Sequence, residues 1–353
     1  MIDTYYRIKS LHDNGTGIHL HCFGYGRNLS SELRALCKTV NYYPRDRSFL
    51  RQLSVLPFSV NSRRSGILLE HLLENNYPIL FDGLHTACYI NHPALANRKK
   101  YVRLHNIEHQ YYLTLARYES NIIKKFYFII ESFRLKRFEK VLFHATRILP
   151  ISGPEHIYFS NRYHNSVLMG PFHPFKLPEI RTGSGDYILY HGDLSVNENS
   201  AISELLISNV FSKTDYQCII AGKNPPARIK KAINGHPNIK LIPDPDNEEI
   251  MKLINNAHIN ILPALNNNGL KIKLLYALFA GRHCLVNSVM IKGYNLEELC
   301  NIADTWEEMA EKIPSLMQLP FTREMVQQRG RKLSENYNND TNACILANLI
   351  FAD

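Results

Sequence analysis

The sequence predicts an α/β protein built from two doubly wound domains, each a mostly parallel sheet with helices on its faces. Three observations lead there. Short apolar runs of strand length alternate with segments of helical period along most of the 353 residues. Residues 171–186 (PFHPFKLPEIRTGSGD) hold three prolines and two glycines, a linker composition beyond which the alternation restarts. Residues 257–287 (AHINILPALNNNGLKIKLLYALFAGRHCLVN) read as strand, glycine-ended turn, helix and strand, which is a βαβ unit.

In the first domain, residues 4–13 place Tyr5, Ile8 and Leu11 on one helical face, and Asn14-Gly15 ends that helix. Residues 18–23 read as a strand, and Ser30 caps a helix over 30–37. Further strands are expected at 40–43, 54–60 and 77–80, with a helix at 65–74. A doubly wound domain ordinarily starts with a strand and a glycine-rich turn. This chain starts within the first helix, so about twenty residues carrying a first strand and its loop are expected to be missing, leaving a central slot of the N-terminal sheet unfilled.

Two strand ends stand out, FDGLHT over 81–86 and VRLHNIEH over 102–109. Each sets a histidine, His85 or His105, just past an apolar strand, on the edge that lines a binding site in such folds. His85, His105 and Glu108 match no metal-ligand spacing, so no metal is expected. Solvated polar residues at strand ends are the alternative reading. Residues 111–147 are helical and mix Tyr, Phe and Ile with Lys124, Lys125, Arg134, Lys136, Arg137 and Lys140. Such a stretch fits an anionic membrane surface, or two packed helices with solvated faces. A strand at 148–152, a helix at 154–162 and a strand at 167–169 complete the domain.

Beyond the linker, strands are expected at 187–190, 216–220 and 239–242, with helices at 199–208, 228–234 and 248–255. In the βαβ unit, Leu270, Leu274, Leu275, Leu278 and Phe279 have helical spacing, and Gly281 takes the C-cap position. The turn before this helix presents main-chain N–H groups at the carboxyl edge of the sheet, where pyrophosphate binds. Lys271 and Lys273 lie in the first helical turn, which the macrodipole makes unfavourable for a cation unless a negative ligand is near. Helices at 296–300, 305–311, 321–336 and 342–351 follow.

Composition narrows the function. Apolar content of 45% with 21% charged residues describes a globular chain, and a net charge of +9 points to an anionic partner. No nucleic-acid motif or Lys/Arg block is present, so nucleic acid is not expected. Seven cysteines without a C-x-x-C pair suggest reduced thiols in a cytosol. No run spans a bilayer, and the N-terminus lacks a basic segment followed by an apolar one.

Gly269, Lys273, Leu274, Leu275, Ala277, Ala280 and Gly281 fit the frame of the donor-binding βα unit of GT-B glycosyltransferases. The chain resembles the bacterial group 1, family 4-like (mannosyltransferase-like) members, weakly in its first half and better in its second. It departs from them at Tyr276, which stands where the family has a glutamate, and at Asn266–Asn268, where an acidic residue is usual. The resemblance implies two Rossmann-like domains facing across a cleft. They would cover 1–170 and 187–338, with a terminal helix in 339–353 crossing back to the first. It implies a nucleotide-sugar bound by Gly192, Asp193, Lys223, Asp244, Asn268, Gly269, Lys271, Lys273 and Tyr276. Arg103 and Asn106 would face the acceptor, a glycan or a lipid-linked sugar.

Under that reading the glycine turns and Lys273 stabilise the leaving diphosphate without a metal or other cofactor. An inverting enzyme needs a general base, for which His105, His85 and Glu108 are the candidates, whereas a retaining one does not. The expected setting is polysaccharide or glycan assembly in the cytoplasm, at the inner face of the membrane. A GT-B sugar-nucleotide epimerase is disfavoured by the few carboxylates at these strand ends. A degenerate, non-catalytic GT-B subunit is the remaining alternative.

Overall fold

The computed structural model describes residues 2–24, 30–266 and 271–352, which form two compact units. The first unit holds the described residues up to Pro174 together with those from Tyr337 on, and the second holds those between.

The first unit opens with α1 (Ile2–Asp13), which buries Ile8 and Leu11 but also Asp3 and Arg7. β1 (His19–Phe23) and β2 (Thr39–Tyr43) pair in parallel as a two-stranded sheet. α2 (Ser31–Leu36) lies between them in sequence, and its cap Ser30 accepts from Leu33 N at 3.3 Å. The expected strand at 54–60 does not form. The chain makes two short helices instead, α3 (Phe49–Gln52) and α4 (Phe58–Asn61). Pro57, which has no N–H for a ladder, is the N-cap of α4, and the buried Glu131 carboxylate accepts from Ser59 N at 2.9 Å.

α5 (Gly66–Leu73), capped by Ser65, leads to β3 (Ile79–Asp82), two residues later than expected because Pro78 precedes it. β4 (Lys100–Leu104) is buried along its whole length and pairs with β3 and with β5 (Arg147–Pro150) in a parallel three-stranded sheet. The expected long helical region is α6 (Glu108–Tyr118), α7 (Ile122–Phe138) and a 3-10 turn over Glu139–His144. Asn121 caps α7, its Oδ1 accepting from Lys124 N at 3.1 Å. α8 (Gly153–Ser160) follows β5. Residues 167–169 run beside β5, with Val167 N and Met169 N donating to Ile148 and Pro150. Among the described residues the only bridge there is Ile148–Ser166, and no strand forms.

The period of two in β4 feeds two cores. Val102 and Leu104 join one with Leu68, Leu72 and Leu135, while Tyr101 joins another with Leu149, Met169 and Phe172. Arg103 shares Tyr101's face of the strand.

The second unit is a parallel six-stranded sheet. In chain order it runs β6 (Tyr187–Asp193), α9 (Asn197–Asn209), β7 (Gln217–Lys223), α10 (Ala227–Ala232), β8 (Ile239–Pro243) and α11 (Asn247–Asn256). β9 (Ile259–Ile261), α12 (Ile272–Ala280), β10 (His283–Val286), α13 (Ser288–Ile291) and β11 (Asn301–Ile302) continue it. The strand order is β11-β10-β9-β6-β7-β8. The winding therefore reverses between β6 and β9, which places a ligand crevice at the carboxyl ends of those two strands. The helix expected at 296–300 is a 3-10 turn over Glu297–Leu299. α14 (Trp306–Gln318) and α15 (Arg323–Asn336) complete the unit. α16 (Asn339–Phe351) belongs to the first unit, where Ala343, Leu346 and Ile350 pack with Leu11, Tyr101 and Phe172.

Gly281 is indeed the C-cap of α12, but its φ of −92° is open to any residue. Glycine is needed there for space, since a Cβ would sit 2.4 Å from Asn260 Nδ2.

Candidate functional site

Several of the residues expected on the donor side gather in the second unit where the strand order reverses. β6 ends in Tyr190, His191, Gly192 and Asp193, and α12 brings Lys273 alongside them. Lys273 Nζ lies 3.1 Å from Asn199 Oδ1, 3.4 Å from the Tyr190 hydroxyl and 5.0 Å from the Tyr190 ring centroid. Burial and the neighbouring Lys271 push its pKa down to about 7, against the pull of Glu198. An ammonium held this way is stabilised by any anion that reaches it. Lys271 is the N-cap of α12; it makes no side-chain cap, and its carbonyl accepts from Leu274 N at 2.9 Å.

Burial and Lys273 push the pKa of His191 down to about 3, so the ring is neutral. Its Nε2 is buried and makes no hydrogen bond among the described residues. A diphosphate oxygen or a sugar hydroxyl would satisfy it. Glu198, in the first turn of α9, accepts from Leu265 N at 3.2 Å and from Asn266 Nδ2 at 2.7 Å, tying down the chain after β9. Sequence reasoning missed both groups. A histidine inside a buried strand and a glutamate opening a helix look like ordinary structural residues.

The other expected donor residues take varied places. Gly192 sits beside Asn199, which donates to Asp193 O at 2.9 Å. Asp193 closes its own turn, accepting from Ser195 N and Oγ, and stands in register with the exposed Lys223 on β7. Asp244 has φ 50°, and its carboxylate accepts from Asn224 N at 2.7 Å, so it shapes the loop after β8. Lys271 Nζ is 3.5 Å from Asn266 Oδ1. The half-buried Tyr276 meets Phe175 edge-on at 5.0 Å. Asn268 and Gly269 lie outside the described residues.

The first unit gathers a second set at the ends of β3 and β4. Asp82 Oδ1 lies 2.8 Å from His105 Nε2 and 2.9 Å from Arg7 Nη2, and Asp82 Oδ2 accepts from Thr4 Oγ1 at 2.7 Å. Despite its burial, Arg7 and His105 hold the Asp82 carboxyl well below its usual range. It is therefore a carboxylate that fixes the imidazole of the quarter-exposed His105. Burial pushes the half-buried Glu108, which opens α6, up to about 7, against His105 and Arg63. Burial, helped by Arg63, drives His85 down to about 3 and leaves it neutral. A fixed carboxylate and a carboxyl poised near neutrality divide roles between acid and base. Asn106 is half-buried next to His105.

Arg103 corrects the expectation of an acceptor contact. Its side chain is wholly buried, donating to Asp3 at 2.9 Å and to the carbonyls of Met169 and Gly170. β4 turns it toward the helix-packed face of the sheet, where it pairs with Asp3 of α1.

Residues 185–318 match the family model of the group 1 glycosyl transferases. That stretch, within the second unit, is similar to the group 1 glycosyl transferases. An uncharacterized 44.6 kDa protein in the cps region of Klebsiella pneumoniae is 28% identical over 262 residues, covering 70% of this chain and 67% of that one. Among solved structures, Anabaena Alr3699/HepE in complex with UDP and glucose aligns at a TM-score of 0.67 and 11% identity. That alignment covers 99% of this chain and 95% of that one. The UDP-forming α,α-trehalose-phosphate synthase of Burkholderia xenovorans aligns at 0.58 and 10% identity, over 83% of this chain and 76% of that one. The fold is that of the GT-B proteins, with parallel sheets in both units. Among the described residues, no helix is long and apolar enough to cross a membrane.

Proposed function

We propose that the protein moves a hexose such as mannose from a nucleotide-sugar to a glycan or lipid-linked acceptor during surface polysaccharide assembly, at the cytoplasmic face of the membrane. The observation that carries this reading is Lys273, poised near neutrality over Tyr190 beside the start of α12. A nucleoside diphosphate would recharge Lys273, satisfy His191 Nε2 and accept from the first N–H groups of α12. The same donors stabilise the leaving diphosphate as the glycosidic bond breaks, so the reading needs no resident metal. On the acceptor side, His105, fixed by Asp82, takes the proton of the attacking hydroxyl, and Glu108 and Asn106 orient the sugar. The cps-region relative supports the polysaccharide setting, and the UDP complex and UDP-forming neighbour support a uridine diphosphate donor.

Thermal-shift titration against UDP, GDP, dTDP, CMP and ADP tests this. One nucleotide at about a hundred times its dissociation constant adds about 2.7 kcal/mol to stability, and Lys273→Ala abolishes the shift. A cooperative melt that responds to none of them replaces the transferase with a non-catalytic binding subunit.

A further inference from the structure

α7 carries apolar residues on two opposite faces, and its fold accounts for only one of them. The inner face buries Ser132, Leu135 and Phe138 together with Glu131. The outer face presents Ile122, Phe126, Ile130 and Phe133, exposed at 68%, 62%, 50% and 69%. At 100° per residue these four fall within an arc of about 80°. They form a continuous stripe along the helix, where isolated exposed apolar residues would scatter.

A second exposed apolar group lies next to it. Phe49, Leu50, Leu53 and Val55, in and after α3, are each at least 64% exposed. Arg134 Nη1 of α7 donates to Gln52 O at 2.9 Å, which fixes that segment beside α7.

The charges around the stripe have one sign. Lys125, Lys136, Arg137 and Lys140 are exposed, whereas the acids of this stretch, Glu131 and Glu139, are turned inward and buried. Lys125 and Lys136 flank one side of the stripe and Arg134 the other. This is the arrangement in which long cationic side chains reach past an inserted apolar ridge to headgroup phosphates. A second copy of this chain docked on the same face would bring like charges together.

We infer that the outer face of α7 and the adjoining α3 segment form a docking surface for an anionic lipid bilayer. The phenylalanine and isoleucine side chains insert at the headgroup level, and the lysines and arginines pair with acidic lipids. This deepens the membrane placement proposed above. Vesicle binding needs neither donor nor acceptor, so its failure would leave the transferase reading standing.

Vesicle co-sedimentation of the full chain decides the matter, using phosphatidylcholine alone and phosphatidylcholine with about 30% phosphatidylglycerol. The expected result is partition at least about tenfold stronger onto the anionic vesicles, weakened by salt. The double variants Phe126→Ser/Phe133→Ser and Lys125→Glu/Lys136→Glu should each lower it by at least about tenfold, with the melting temperature unchanged because all four side chains are exposed. Equal binding to both vesicle types, no binding to either, or undiminished binding by the variants overturns the proposal. A concentration-dependent dimer that Phe126→Ser/Phe133→Ser dissolves would do so too, assigning the stripe to self-association.

Discussion

His105 Nε2 and Arg7 Nη2 converge on one oxygen, Asp82 Oδ1, at 2.8 and 2.9 Å. A single carboxylate thus joins the first helix of the chain to a histidine about a hundred residues later, and the buried Asp3–Arg103 pair lies against it. An imidazole held through one nitrogen by a carboxylate presents its other nitrogen in a fixed tautomer.

Replacing that imidazole should affect turnover more than folding. His105→Ala is expected to lower kcat by about 10²–10⁴-fold with little change in melting, since the side chain is a quarter exposed. NMR of the product's anomeric proton supplies the second readout. Inversion of configuration fits His105 as the base, while retention combined with the rate loss would make it an orienting group only.

The carboxylates beneath it should set the acid limit of stability. Asp3 is buried, and Arg103 and Arg7 outweigh that burial to lower its pKa, while Asp82 is lowered further. A depressed native pKa contributes stability that is present above the unfolded value of about 3.9 and is lost as pH falls through the native values. Urea midpoints should hold steady above about pH 5 and collapse below about pH 4. Asp3→Ala, which leaves the buried Arg103 guanidinium without its carboxylate partner, should cost about 3–5 kcal/mol at neutral pH in the same assay.

Lys273 gives a pH signature of binding. With its pKa near 7, the free protein carries a neutral amine at pH 8, and a diphosphate favours the ammonium. Calorimetry with UDP at pH 8 in buffers of different ionisation enthalpy should report uptake of about one proton, falling toward zero below about pH 6. Lys273→Met should remove the uptake. Buffer-independent heats would show that the diphosphate binds elsewhere.

Two glycines should respond in opposite ways. A Cβ at Gly222 would lie 1.9 Å from Gly192 O, on the strand next to it, whereas Gly66 opens α5 with nothing within 4 Å. Gly222→Ala is expected to cost about 1–3 kcal/mol and to weaken donor binding by displacing the β6 turn. Gly66→Ala should be neutral or stabilise by about 0.4–1 kcal/mol. Chemical denaturation of both variants checks the contrast.

The local rules read most of this molecule correctly. Ser30 and Ser65 mark helix starts, and the strands of the second unit fall where short apolar runs sit between turn residues. The misreading at 54–60 arose because LSVLPFS alternates like a strand while Pro57 and the distant Glu131 settle it as a helix start. Arg103 looked functional because it stands in a strand end rich in polar residues. Its burial depends on Asp3, and no local periodicity reveals a partner a hundred residues away. Asp82 was visible as a strand-end carboxylate, but its link to His105 is a fact of sheet register.

The separation of β1–β2 from the three-stranded sheet gives this protein two tiers of resilience. A two-stranded ribbon has little cohesion of its own and leans on the helices around it. The six-stranded sheet is a self-supporting slab. Heating should therefore loosen the ribbon, with its histidines and Tyr43, while the six-stranded slab is still intact. The first damage this protein suffers would then lie in the unit that holds Asp82 and His105, leaving the surroundings of Lys273 for last.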